Sequence, residues 1–341
     1  MKIKAVSALL LTAACVMCPY TSVYAADTPA LPQASDAQNK DKEYIRWVDF
    51  GITADALRDA ADADVAAHAG PRPLSWIELL AYLGQKYGGD FSRYKKSDLT
   101  AACAAYDTLS FEEQSKNKKL YLYYCEAYGA TLSGLLGEYI QKTVREDGST
   151  VEETGYGIRA YSPIARGYSY SHYDDFGVAR SYGYKRRHLG HDMMGSVGTP
   201  IVAVEDGYVE ALGWNQYGGW RVGIRSYDGR RYYYYAHLRR NHPFPASLSE
   251  GDYVEAGQVI GYLGMTGYSA KENVNNINTP HLHYGLQLIF DPSQKDGTNQ
   301  IWIDMYQLTN FLERYRVSTV KSSDGTERIS QTTKRSPETP D

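Results

Sequence analysis

The stretch Thr279-Pro280-His281-Leu282-His283-Tyr284-Gly285 constrains this chain more than any other. Its two histidines stand two positions apart in a run of β-forming and apolar residues. In an extended strand, residues i and i+2 point to the same face. His281 and His283 can therefore look into one site from one strand. A second stretch, His188-Leu189-Gly190-His191-Asp192, adds further imidazoles and a carboxylate. Two imidazoles and a carboxylate, with a fourth position open to water, make the usual donor set of a catalytic zinc.

The texture around these stretches is that of an antiparallel all-β domain over 155–316. From Gly155 onward the chain is rich in Gly, Tyr and β-branched residues. Asp206-Gly207, Gly218-Gly219 and Asp228-Gly229 are turn or hairpin signals. Between them the pattern predicts strands over Ile201 to Val204, Tyr208 to Leu212, Arg221 to Arg225, Arg231 to Ala236, Val259 to Leu263 and Leu282 to Ile289. Before this domain the sequence predicts a separate helical region over 43–145. Ser75 with Glu78, and Ser110 with Glu113, have the spacing of capping boxes. Trp76, Leu79, Leu80, Leu83 and Tyr87 then fall on one helical face, and Gly88-Gly89 ends that helix. The second box predicts a helix running through Leu120, Tyr123 and Tyr124, with helical character continuing over Leu132 to Ile140. No set of metal donors appears in this half, which reads as a packed accessory domain. The tail, 317–341, is polar and is expected to be disordered.

The N-terminus reads as an export signal over 1–25. Lys2 and Lys4 form a charged start, and Ala5 to Cys18 an apolar run short for a membrane span. Val23-Tyr24-Ala25 is a small-residue cleavage site, so the mature chain is expected to begin at Ala26, with a flexible leader over 26–42. An uncleaved anchor or a lipid on Cys15 are the alternatives. The expected location is outside the cell or in its envelope, with no membrane span in the mature chain. Cys103 and Cys125 remain after cleavage, either as a disulfide or as two buried thiols. The formal net charge is −4, which gives no nucleic-acid footprint. The 32 tyrosines suit half-buried strands and also a site for an extended polar substrate.

Two segments share a pattern, Gly198 to Gly207 and Gly251 to Gly261. The second has the hairpin texture of lipoyl and biotinyl carrier domains. Such carriers need a lysine at a hairpin tip, and no lysine lies between Gly198 and Gly261.

The motifs together resemble the lysostaphin-like zinc endopeptidases of family M23, which are peptidoglycan hydrolases. They stand in the family's order from about Tyr173 to Ile289. Phe176-Gly177 is followed by His188 to Asp192, then Gly198-Thr199-Pro200 with Ala203 and Asp206-Gly207. Tyr235-Ala236-His237-Leu238 precedes Gly251-Asp252, Gly257-Gln258 and Ile260-Gly261. Gly264-Met265-Thr266-Gly267 and His281-Leu282-His283 close the set. The resemblance implies a C-terminal all-β lysostaphin-like peptidase domain, which with the N-terminal helical accessory domain read before it makes an α+β multidomain chain. It implies one zinc per chain held by His188, Asp192 and His283. It makes His237 and His281 the catalytic pair, with His281 as general base and His237 steadying the oxyanion or protonating the leaving amine. It implies hydrolysis of peptide bonds in peptidoglycan stem peptides or cross-bridges. A non-catalytic envelope scaffold, or an activator of another wall hydrolase, is the alternative.

Gly190 is expected to let the chain bend so that His188 and Asp192 converge. Two departures from the family pattern bear on the site. His191 stands where a small apolar residue is usual, which opens an exchange of donor between His191 and His188. The run Tyr268 to Asn278 is longer than the common link, which leaves the bond cleaved open. Lys185-Arg186-Arg187 reads either as a solvated basic turn or as a site for carboxylates of wall peptides or anionic wall polymers.

Overall fold

The structure, a computed structural model, describes Val48 and residues 50–145, 147–181, 185–295 and 299–339. The expected signal peptide (1–25) and leader (26–42) lie outside these residues. Five helices come first: α1 (Ala54–Ala67), α2 (Trp76–Tyr87), α3 (Lys96–Tyr106), α4 (Phe111–Gln114) and α5 (Lys118–Leu132). Strands follow: β1 (Leu136–Val144), β2 (Thr150–Ile158), β3 (Tyr170–His172), β4 (Ala179–Ser181), β5 (Lys185–Arg187), β6 (His191–Gly195) and β7 (Pro200–Val202). Then come β8 (Gly207–Asn215), β9 (Gly219–Ser226), β10 (Arg231–Ala236), β11 (Tyr253–Val254), β12 (Val259–Tyr262), β13 (His281–Leu288) and β14 (Ile301–Ile303). Helix α6 (Tyr306–Leu312) precedes β15 (Thr319–Lys321), β16 (Arg328–Ser330) and β17 (Thr332–Arg335).

The helices begin and end where the local chemistry directs. Ser75 accepts a hydrogen bond from the Glu78 backbone N–H, and α2 ends on Gly88 in the left-handed conformation at φ 64°. The Ser110–Glu113 capping box is complete, but it opens only the four-residue α4. The expected long helix is broken, because Ser115 is extended and Asn117 caps a new start at α5. The expected helix over Leu132 to Ile140 is also corrected. Gly134 and Gly137 weaken a helix there, and β1 pairs along its whole length with β2.

The main sheet has eight antiparallel strands in the order β11-β8-β9-β10-β13-β6-β3, with β14 also on β13. Its interior strands match the spans expected between the turn glycines, and β10 has the expected bounds. Alternation sorts its residues. Leu282, Tyr284, Leu286 and Leu288 of β13 are buried, as are Tyr233 and Tyr235 of β10 and Val222 and Ile224 of β9. These form the core face.

The described part of the tail, residues 317–339, is ordered rather than disordered. β17 pairs with β1, from Ile140 opposite Arg335 to Thr143 opposite Thr332. Lys334 exchanges backbone hydrogen bonds with Ala256. Its amine donates to the Ile158 carbonyl at 2.6 Å and lies 4.0 Å from the centre of the Tyr139 ring. Burial pushes that amine down to about 8. The polar composition hid this order, because the burial comes from aliphatic stems and strand pairing rather than from apolar side chains.

Helices and strands are also less separate than expected. The described residues form one compact unit. Asp64 of α1 accepts from the Trp76 backbone and from the Tyr156 hydroxyl of β2. The strongest tie is Arg231, 1% exposed. Its Nε and Nη2 donate to the two oxygens of Glu205, each at 2.8 Å. Its Nη1 donates to the Ala130 carbonyl at 2.9 Å and to Ser133 Oγ at 3.0 Å, at the end of α5. Nη2 also donates to Asp228. All five guanidinium N–H donors thus have acceptors. Gly134 makes the approach possible, since a Cβ there would fall 1.6 Å from Glu205 Oε1. Cys103 and Cys125 are free thiols.

Removing one partner of a buried, satisfied ion pair leaves the other charge without compensation. Arg231→Met is therefore expected to lower stability by about 3–5 kcal/mol. Asp228→Asn, at the solvent edge of the same network, should cost less than about 1 kcal/mol. Urea denaturation of the full chain measures both, and equal midpoints for the two variants would contradict the assigned weights.

Candidate metal centre

Strand register places the candidate donors. On one side of β13, His283 lies opposite Ala236, Gly285 opposite Tyr234 and Gln287 opposite Tyr232. On the other side, His281 lies opposite Met194 and His283 opposite Asp192. Directly paired residues share a face. Asp192, His281, His283, Tyr232 and Tyr234 therefore stand on the face opposite the core.

His188 enters from the loop between β5 and β6. Its backbone is tied to the segment after Phe176, with Gly177 N–H donating to the His188 carbonyl and His188 N–H to the Val178 carbonyl. His188 Nε2 lies 3.1 Å from Asp192 Oδ1 and 3.1 Å from His283 Nδ1. His283 Nδ1 lies 2.8 Å from Asp192 Oδ1. These residues form a group able to hold a metal ion. Tetrahedral zinc with bonds of about 2.0–2.1 Å spaces its donors roughly 3.3 Å apart, close to this triangle. The donor chemistry fits as well. His188 Nδ1 is 3.1 Å from Asp175 Oδ1 and 3.3 Å from the Asp175 carbonyl oxygen. Nε2 then faces the Asp192 carboxylate and His283 Nδ1, a grouping of donor atoms suited to a cation.

Gly190 serves the site differently from the expectation. Its backbone is not left-handed. A Cβ at this position would meet the His283 ring at 2.5 Å, so the glycine makes room for the imidazole. His191 does not share the metal-facing side. It lies opposite Tyr284, with Nε2 2.8 Å from His172 Nδ1 and its ring against Tyr306. Burial, then His172, push its pKa down to about 4.

Asp192 is almost fully buried. Burial alone would raise its pKa, but hydrogen bonds with His188 and His283, and the charges of His283 and His281, leave it well below the usual carboxylate range. Arg180 Nη1 lies 2.8 Å from Asp192 Oδ2, which turns Oδ1 toward the imidazoles.

Two more histidines face this group. His281 Nε2 lies 3.9 Å from Asp192 Oδ1, and its Nδ1 is 2.8 Å from the Thr279 carbonyl oxygen. His237 follows β10 in the left-handed region at φ 63°, a strained position for a residue with a Cβ. Its Nδ1 lies 2.9 Å from the Thr266 carbonyl oxygen, and its ring is 4.8 Å from that of His281. In both, the carbonyl holds the proton on Nδ1 and leaves Nε2 as an acceptor. Burial, then His281 and His283, push His237 well below its ordinary value, so it is neutral at pH 7.

Sequence reasoning missed Asp175, Arg180 and Tyr268. Asp175 directly precedes the Phe176-Gly177 pair, and Arg180 follows it by three positions, but acids and arginines at such places are common. The long run after Gly267 gave a better signal. Its Tyr268 ring lies 5.7 Å from that of His237, and its hydroxyl accepts from Arg186.

The chain is similar to known proteins. The profile of Peptidase family M23 matches residues 186–296. The L-Ala--D-Glu endopeptidase of Bacillus subtilis (strain 168) is 38% identical over 154 residues, covering 45% of this chain and 43% of that protein. Lysostaphin of Staphylococcus staphylolyticus is 38% identical over 98 residues, covering 28% of this chain and 18% of that protein. The chain thus spans less than half the length of either relative. A crystal structure from Ruminococcus gnavus ATCC 29149, assigned provisionally as a glycyl-glycine endopeptidase, shares the fold. It has a TM-score of 0.54 at 23% identity over 82% of this chain and 95% of that one. Among the described residues, no helix is long and apolar enough to cross a membrane.

The two neighbouring residues His191 and Asp192 provide a direct check on the face assignment. Asp192→Ala should abolish stable zinc binding, while His191→Phe should retain close to one zinc per folded chain. Elemental analysis after gel filtration reads both, and loss of zinc in His191→Phe with retention in Asp192→Ala would invert the donor set.

Proposed function

Residues 186–296 form a domain of Peptidase family M23, and from that premise we propose that this protein is a zinc-dependent endopeptidase of peptidoglycan. The observation that carries the reading is the convergence of His188, Asp192 and His283 beside two further histidines with free Nε2 positions. His188 Nε2, Asp192 Oδ1 and His283 Nδ1 would hold one zinc. When bound, zinc supplies Lewis acidity toward a water and toward the scissile carbonyl.

The remaining work falls to side chains of the chain itself. His281 accepts the proton of the attacking water through Nε2, since Thr279 holds its Nδ1 proton. The same proton then passes to the leaving amine. His237 presents an acceptor in its resting state. It can steady a developing oxyanion only after gaining a proton, which refines the role expected for it. Burial works against that uptake, so in its resting state His237 can only accept a hydrogen bond at Nε2. Arg180 and Asp175 hold the donors in orientation.

One curated relative is named as an L-Ala--D-Glu endopeptidase, which supports a stem peptide or cross-bridge as substrate here. The charged and then apolar N-terminal stretch supports export to reach it.

The two histidines of β13 separate binding from chemistry. His283→Ala should lose zinc and hydrolysis together. His281→Ala should keep zinc near one per chain, while turnover of a cross-linked muropeptide falls by roughly 10²–10⁴-fold. A chelator should silence the wild type, and zinc should restore it. Wild-type hydrolysis that survives complete zinc removal would sink the metallopeptidase reading.

A further inference from the structure

The face that carries the metal group continues into a cleft of about 580 Å³ that includes His283. Strand alternation builds its floor. Tyr232 and Tyr234 of β10 point here, while Tyr233 and Tyr235 point into the core. Arg221 lies two residues before Gly223, which is opposite Tyr234, so it shares this face. Trp302 of β14 closes one wall, and Gly285 leaves the space for it, since a Cβ there would lie 2.8 Å from the indole. Arg186 and Arg187 of β5 form another wall.

The charge of this cleft is one-sided. Arg186, Arg187, Arg221 and Lys295 line it, and no Asp or Glu does. Lys295 is neutralised by Glu210, which lies outside the lining. The three arginines have no carboxylate partner among the described residues. Arg186 is held instead by the neutral Tyr268, over whose ring its guanidinium lies at 5.3 Å. Tyr268 belongs to the long run that departs from the family pattern. Arginines left without acids beside a reaction centre, and oriented by neutral groups, are suited to bind carboxylates in bidentate fashion. A peptide of glycine alone offers no such group along its length.

We propose that this cleft selects a peptide bearing free side-chain or α-carboxylates next to the scissile bond, with Arg221 and Arg187 as the specificity residues and Arg186 held in support by Tyr268. The substrate class is therefore an acidic stem peptide rather than a glycine bridge. This rests on the endopeptidase reading above.

The test uses the zinc-loaded full chain and two synthetic stem peptides, one with free carboxylates and one with the same groups as carboxamides. The wild type should hydrolyse the acidic peptide with kcat/KM about tenfold or more above the amidated one, the size expected of one charge-assisted hydrogen bond. Most of the difference should lie in KM, and it should shrink with added salt. In the double variant Arg187→Gln/Arg221→Gln the ratio should fall to within about twofold, with zinc content unchanged. The affinity of both peptides for the chelated protein is measured in parallel by calorimetry. Equal hydrolysis of both peptides by the wild type, or a ratio untouched in the double variant, overturns the carboxylate reading and leaves the peptidase intact. If neither peptide is cut, the endopeptidase reading fails for stem peptides. The binding ratio then decides the carboxylate preference independently, with a ratio near one overturning it.

Discussion

The register of β13 is the constraint on which the site depends. This strand is paired on both sides, with β10 and with β6. It contributes His281 and His283 to one face and Leu282, Tyr284, Leu286 and Leu288 to the core. A slip by one residue would turn the histidines into the apolar core and the leucines outward. The core therefore holds the donors in place without touching them. The same alternation in β6 gives Asp192 to the metal group and His191 to a packed cluster with His172 and Tyr306. Two adjacent residues of similar metal-binding chemistry thus have different surroundings because a strand has two sides.

Electrostatics then assigns states to the grouped side chains. Asp192 stays ionised despite burial because His188 and His283 hydrogen-bond to it and Arg180 pairs with its outer oxygen. Burial acts in the opposite sense on an imidazole and keeps His237 neutral. One low-dielectric pocket therefore holds an anionic donor beside a neutral proton acceptor, which is the combination that hydrolysis assisted by a cation requires. The carbonyls of Thr279 and Thr266 complete the arrangement by fixing the Nδ1 protons of His281 and His237.

The sequence made some of this legible and hid the rest for identifiable reasons. The strands from β8 to β10 could be read because glycine turns bound short alternating runs, and β10 has the bounds that Arg231 to Ala236 suggested. That His188, Asp192 and His283 come together could be read because histidines are few and their spacings are informative: there are only 8 in the chain. β1 could not, since its neighbours are β2 and a strand near the far end of the chain. Its glycine and tyrosine say little until that partner is present. The tail was hidden for the same reason, because Lys334 is ordered by Tyr139, Ile158 and Ala256 rather than by its own sequence neighbours. Asp175 and Arg180 have residue types too common to single out, and only the fold brings them to His188 and Asp192.

β10 shows why the helical region cannot be regarded as a detached accessory. Its odd-numbered residues face the core, and the first of them, Arg231, joins Glu205 to the end of α5 through Ala130 and Ser133. Its even-numbered residues, Tyr232 and Tyr234, form the floor of the cleft beside His283. Tyr233 connects the two roles along the same backbone, since its hydroxyl donates to the Glu205 carboxylate that holds Arg231. The position of α5 and the shape of the cleft are therefore set by opposite faces of one six-residue strand. Packed interiors transmit displacement because they contain little free volume to absorb it. A shift of α5 against the sheet must then either strain the Arg231 network or move β10, and with it the tyrosines on which a peptide would lie.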